Sequence, residues 1–134
     1  MADLNLLVPL FDAYRQFYRK PSEPERARRF LLERFEHNQS VIFMAFEGAA
    51  AIGFAQLYPS FSSGAMARIF ILNDLFVAPD ARGRGTGSAL LLAAAEFGRS
   101  AGALRLVLST EVTNTTAQSV YERLGNMFWY IPIR

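Results

Sequence analysis

Apolar positions along the chain fall into two periodicities. Leu7, Leu10, Phe11, Tyr14 and Phe17 recur at helical spacing over residues 4–18, which predicts an amphipathic helix ended by Lys20-Pro21. Ser22 with Glu25 three positions on has the form of a helix start, and Phe30, Leu31, Arg34 and Phe35 continue a second helix. Residues 41–46 and 50–58 are β-rich runs separated by Glu47-Gly48-Ala49, so they are expected to pair antiparallel. Residues 59–64 read as a polar loop, and residues 66–77 as a long third strand. Residues 88–98 are almost all Ala, Leu or Phe, the pattern of a helix buried on most sides. A short strand over residues 104–108 follows, then a helix capped by Thr115 or Thr116 that runs to Gly125, then a last strand over residues 127–133. The expected order is helix, helix, three strands, helix, strand, helix, strand.

Composition narrows the class. The 134 residues are 51% hydrophobic with no linker-like break, so residues 1–134 are expected to form one domain with its own core. Cysteine is absent, which removes disulfides, thiolate metal sites and a cysteine nucleophile, and makes a reducing cytoplasm the expected location. One histidine, His37, makes a histidine metal site an unexpected feature and reads as a capping or surface residue. A formal charge of +2 with scattered basic residues is not a nucleic-acid footprint, and the arginines of the second helix read as a solvated face. No apolar run approaches the about 20 residues of a membrane span, so neither nucleic acid nor membrane is an expected partner.

The candidate chemistry lies where the third strand meets the following helix. Leu75-Phe76-Val77-Ala78-Pro79 is succeeded by Arg82-Gly83-Arg84-Gly85-Thr86-Gly87-Ser88 and then by the apolar helix. A helix start leaves its first amide hydrogens unpartnered and carries partial positive charge, so it can hold a phosphate. Gly83, Gly85 and Gly87 let backbone approach an anion, and Arg82 and Arg84 add charge. The same residues also suit a plain tight turn. No Gly-Lys-Ser/Thr run exists, which removes a P-loop, and Ser88 stands where a dinucleotide fingerprint needs its third glycine, with Glu111 as the possible ribose partner.

Arg82-x-x-Gly85-x-Gly87 after a strand ending Leu75-Phe76-Val77 resembles the GNAT superfamily of N-acetyltransferases. Asn114-x-x-Ala117-x-x-x-Tyr121-x-x-x-Gly125 resembles the other half of that family's signature. The resemblance covers essentially the whole chain. It implies the GNAT-type α/β fold, a mixed, mostly antiparallel sheet flanked by helices, here with the first strand absent. It also implies acetyl-CoA (coenzyme A) as cofactor and a small-molecule or peptide amine as acceptor. Carried onto this chain, it assigns Arg82, Gly83, Arg84, Gly85, Thr86, Gly87 and Ser88 to the pyrophosphate, the backbone of Leu75, Phe76 and Val77 to the pantetheine arm, and Asn114 to orienting that arm. Tyr121 becomes the acid that protonates the departing thiolate; a phenol with a pKa near 10 suits that task.

An amine must lose a proton before it attacks. Asp74 interrupts an apolar strand beside the proposed acetyl site, and an acid flanked by Leu72, Leu75 and Phe76 is expected to have a raised pKa if buried, so it is the candidate base. An aspartate bonded to a neighbouring loop is the plainer reading of the same residue. Glu111 is the second candidate, or an exposed strand-end acid. Asn73-Asp74 also resembles the acidic pair of the polyamine and diamine branch, but Asn73 departs from it. Tyr14, Tyr18, Tyr58, Phe61 and Trp129 are candidate walls for the acceptor, or core packing. A sheet short of edge strands invites pairing, so a homodimer is expected. The alternative from another class is a non-catalytic acyl-CoA-binding or regulatory module.

Overall fold

The computed structural model describes residues 3–108 and the strand 128–130. Two helices come first, α1 (Leu4–Phe17) and α2 (Pro24–Glu36). Three strands follow, β1 (Val41–Glu47), β2 (Ala50–Ser62) and β3 (Ala67–Val77). A 3-10 turn (Pro79–Ala81) leads to α3 (Thr86–Ser100), then β4 (Leu106–Leu108) and β5 (Phe128–Tyr130). The strands form one sheet in the order β1-β2-β3-β4-β5. β1, β2 and β3 pair antiparallel in long ladders, while β3–β4 and β4–β5 are short parallel pairs. Among the described residues no strand precedes α1.

The sheet divides two cores. On one face Ala55, Leu57, Phe70, Leu72, Leu106 and Leu108 pack against Leu90, Leu91, Ala94 and Ala95 of α3. On the other, Phe54 and Phe76 pack against Leu7, Leu10 and Phe11 of α1 and Ala27 and Leu31 of α2. α3 buries one face only; Ala89 and Leu92 are exposed, so the expectation of burial on most sides is corrected. Alanine's short side chain suits both a buried helix face and an open one, which is why composition alone overstated its burial.

Two local expectations differ from the structure. β2 does not stop at Tyr58: it runs to Ser62, with Pro59 opposite Phe70 and Phe61 opposite Arg68. The turn is confined to Ser63–Met66 because the partner strand extends the ladder past local turn residues. Ser22 does not cap α2, whose flanking residue is Glu23 with no side-chain cap. Instead Asp12 reaches across from α1, accepting from the Glu23 amide at 2.8 Å and from Ser22 Oγ at 2.6 Å. A capping carboxylate from a neighbouring helix satisfies an otherwise free donor at the start of α2 and ties the two helices together.

The feature that positions the site is a bulge in β3. Gln56 opposes Asp74 and Leu57 opposes Leu72, so Asn73 has no partner on β2. The extra residue switches the alternation of side chains. Leu72 therefore packs on the α3 side while Asp74 and Phe76 face α1.

Candidate active site

A cavity of about 420 Å³ opens where β3 ends. It is lined by Leu75, Phe76, Val77 and Leu91, by Arg82, Gly83 and residues 85–88 of the glycine loop, and by Phe17 and Tyr18 at the end of α1. Among the described residues the β3–β4 ladder covers only Phe70 to Leu72, so Leu75–Val77 meet the cavity beyond the last paired position.

The loop geometry follows from glycine. Gly83 and Gly85 have φ of 82° and 80°, while Arg84 between them is not left-handed. A Cβ on either glycine would meet nothing within 4 Å, so the requirement is conformational rather than steric. Gly85 precedes α3 with no side-chain cap, and the first internal bond of the helix is Ala89 N–H to the Gly85 carbonyl at 3.0 Å. The amides of Thr86, Gly87 and Ser88 therefore lie in the unbonded first turn, at the positive end of a 15-residue helix. All three residues line the cavity.

Arg82 belongs to this cradle. Its Nε donates to the Val77 carbonyl at 2.9 Å, and its guanidinium lies 5.0 Å from the Phe17 ring centroid and 5.6 Å from that of Phe76. The side chain is oriented by one hydrogen bond and two ring faces, with its remaining donors available to an anion. Arg84 is different. It is not among the cavity residues: its Nη1 pairs with Glu47 and its Nη2 donates to the Asp80 carbonyl at 2.8 Å. In this structure Arg84 therefore turns toward Glu47 rather than into the cavity, because the β1–β2 hairpin brings a carboxylate to it.

Asp74 precedes the cavity residue Leu75 in β3 but is not itself among the cavity residues; it is 5% exposed and faces α1. Oδ2 accepts from Gln56 Nε2 at 2.7 Å and Oδ1 from Asn73 Nδ2 at 3.1 Å. Tyr14 hydrogen-bonds it from α1; burial first, and then the charge of Asp74 and this bond, raise the Tyr14 phenol well above its ordinary value. Tyr58, on the same face of β2 as Gln56, is pushed up to about 12, by burial first and by Asp74 second, with Arg34 opposing. Both phenols thus remain neutral donors at working pH.

Of the proposed acceptor walls, Tyr14 packs edge-on against Phe54, Phe76 and Tyr18. Phe61 stands apart, exposed at the far end of β2 beneath Arg68. Glu111, Asn114 and Tyr121 lie outside the described residues, and of Trp129 only its place in β5 is described. Sequence reasoning passed over Gln56. Its signal was present: Gln56 interrupts the apolar run of β2 as Asp74 interrupts β3.

Residues 7–125 match the family model described as Acetyltransferase (GNAT) family. The chain belongs to the GNAT acetyltransferase family. The protein named Uncharacterized N-acetyltransferase YhfO of Bacillus subtilis (strain 168) is 49% identical over 124 residues, covering 92% of this chain and 83% of that one. A protein of Haemophilus influenzae named Probable acetyltransferase is 39% identical over 123 residues, covering 91% and 80%. The crystal structure of a probable acetyltransferase superposes with a TM-score of 0.85 at 41% identity, covering 100% of this chain and 94% of that one. The chain is accordingly a GNAT N-acetyltransferase, and this family uses acetyl-CoA. Among the described residues no helix is long and apolar enough to cross a membrane.

The cradle suits such a ligand. Coenzyme A carries a diphosphate, and here unbonded amides, an oriented guanidinium and glycines converge on one cavity that also reaches Leu75–Val77. Gly87 lines this cavity, and a Cβ there would stand 4.0 Å from Val77 Cγ2, an ordinary contact.

Proposed function

We propose that this GNAT domain transfers acetyl from acetyl-CoA to a primary amine of a small molecule or peptide, by direct attack within a ternary complex. The observation that carries the reading is the meeting, in one cavity, of the free first turn of α3, Arg82 and the end of β3. Acetyl-CoA supplies an acyl carbon activated as a thioester. Arg82 and the amides of Thr86, Gly87 and Ser88 hold its pyrophosphate, with Gly83 and Gly85 shaping the turn. The backbone of Leu75, Phe76 and Val77 binds the pantetheine arm, and Asn114 orients it.

Asp74 takes the proton that the acceptor ammonium must lose. Its burial among Phe76, Tyr14 and Gln56 keeps bulk water from competing. Tyr121 holds the proton required by the departing sulfur. The reaction is placed in the cytoplasm and the active species is a homodimer, a state that sedimentation or size-exclusion chromatography reads directly.

Calorimetry with acetyl-CoA followed by thiol release across a panel of amines tests the assignment. Binding with turnover on an amine supports it; binding with no acceptor among diamines, amino acids and peptides overturns it in favour of a binding module. Tyr121→Phe is expected to cut turnover at least tenfold, about 1.4 kcal/mol, with coenzyme A affinity nearly intact. Unchanged turnover removes Tyr121 from the mechanism.

A further inference from the structure

Gln56 is fully buried, in a strand whose neighbours on the same face are Phe54 and Tyr58. Its amide is half used: Nε2 donates to Asp74 at 2.7 Å, while Oε1 has no hydrogen-bond partner. An unpaired buried polar atom costs about 1–3 kcal/mol, so the bond to Asp74 is, among the described residues, the one hydrogen bond that offsets burial of this amide. The amide is committed to the carboxylate.

We propose that Gln56 is the positioning residue that holds Asp74 in its proton-accepting form. The inference rests on the reading of Asp74 as base. The register makes the contact possible: the bulge at Asn73 places Asp74 opposite Gln56 and turns both toward α1. An amide also has a second role available. Turned by half a rotation about its last side-chain bond, it presents Oε1 to the carboxyl O–H, so a partner exists before and after proton uptake. The Asn73 amide and the Tyr14 hydroxyl also have an acceptor, but Gln56 is the fully buried partner and makes the shorter bond, 2.7 Å against 3.1 Å for Asn73. Tyr14 from α1 and Asn73 from β3 reach it with donors, Tyr58 on β2 acts on it only through charge, and α2 contributes Arg34 at Tyr58. The two phenols stay neutral across an ordinary assay range, so neither contributes to an acid limb.

The test is kcat/KM against pH for Gln56→Leu and Gln56→Met, with coenzyme A affinity measured in parallel. A buried carboxylate that loses a donor keeps its proton to higher pH. The acid limb is expected to move up by about one pH unit, a tenfold loss on its acid side. Activity should recover at higher pH, and coenzyme A affinity should hold within about twofold, roughly 0.4 kcal/mol. Asn73→Ala, at an exposed position, should shift the limb the same way by less. Folded Gln56 variants whose limb coincides with wild type, or whose loss is equal at every pH, overturn the proposal. Asp74→Asn separates it from the underlying reading: wild-type turnover in that variant overturns the base itself, whereas a dead variant beside an unshifted Gln56→Leu limb overturns only Gln56.

Discussion

Arg82 Nε donates to the carbonyl of Val77 at 2.9 Å, so the first residue of the glycine loop is bonded to the last residue of β3. This contact fixes where the guanidinium stands relative to the free amides of α3. Arg82→Ala removes the contact and, on the proposed reading, a charge-assisted bond to phosphate, which is worth about 1.5–3 kcal/mol. Coenzyme A binding should weaken roughly 10- to 100-fold by calorimetry. Arg82→Lys keeps the charge but not the planar stacking on Phe17 and Phe76, and should fall between.

Arg84→Ala serves as the contrast. Its pair with Glu47 is half exposed on both sides, so stability should change by no more than about 1 kcal/mol. Coenzyme A affinity should stay within about threefold, roughly 0.7 kcal/mol; a loss as large as that of Arg82→Ala would mean that Arg84 swings into the cradle.

Gly53 is a steric position. A Cβ there would stand 3.0 Å from the Phe76 carbonyl oxygen, 3.3 Å from Leu90 Cδ1 and 3.4 Å from Thr86 Cγ2. Gly53→Ala should therefore push the start of α3 away from the end of β3. The expected cost is about 1–3 kcal/mol in urea unfolding, accompanied by weaker coenzyme A binding.

Gly85 makes the opposite case, with open space but φ of 80°. Gly85→Ala should cost about 1–2 kcal/mol from backbone strain alone. Gly87→Ala, which is neither left-handed nor crowded, should leave the urea midpoint near wild type while its methyl reduces ligand affinity.

Stability should fall in alkali. Tyr14 and Tyr58 both hold their protons more tightly when folded than the ordinary phenol near 10, Tyr58 up to about 12. Groups with raised folded values contribute stability that is complete below pH 10 and lost as pH rises through the folded value. Urea midpoints measured at pH 9, 10 and 11 should decline, and Tyr14→Phe should flatten that decline.

Much of the site was legible before any tertiary information. The strand end Leu75–Val77, the glycines and the start of α3 depend on residues within one turn of each other, so their spacing alone specifies a concave run of amides. The helical stripe of α1 and the β1–β2 hairpin were legible for the same reason: local dihedral preference and hydrophobic period agree there.

What the chain could not disclose by spacing is which side chains meet across the sheet. The unpaired Asn73 turns Asp74 toward α1 rather than α3, Gln56 comes to rest against it, Glu47 pairs with Arg84, and Asp12 takes the capping role that Ser22 was expected to fill. Each of these is settled by strand register or by helix docking, which depend on partners 11 to 37 positions away for the last two and 18 for Gln56 and Asp74. The sequence by itself determined the local frame of a glycine loop at a helix start; the tertiary fold decided which carboxylate, amide and guanidinium meet one another, because only packing across the sheet and between helices sets those distances.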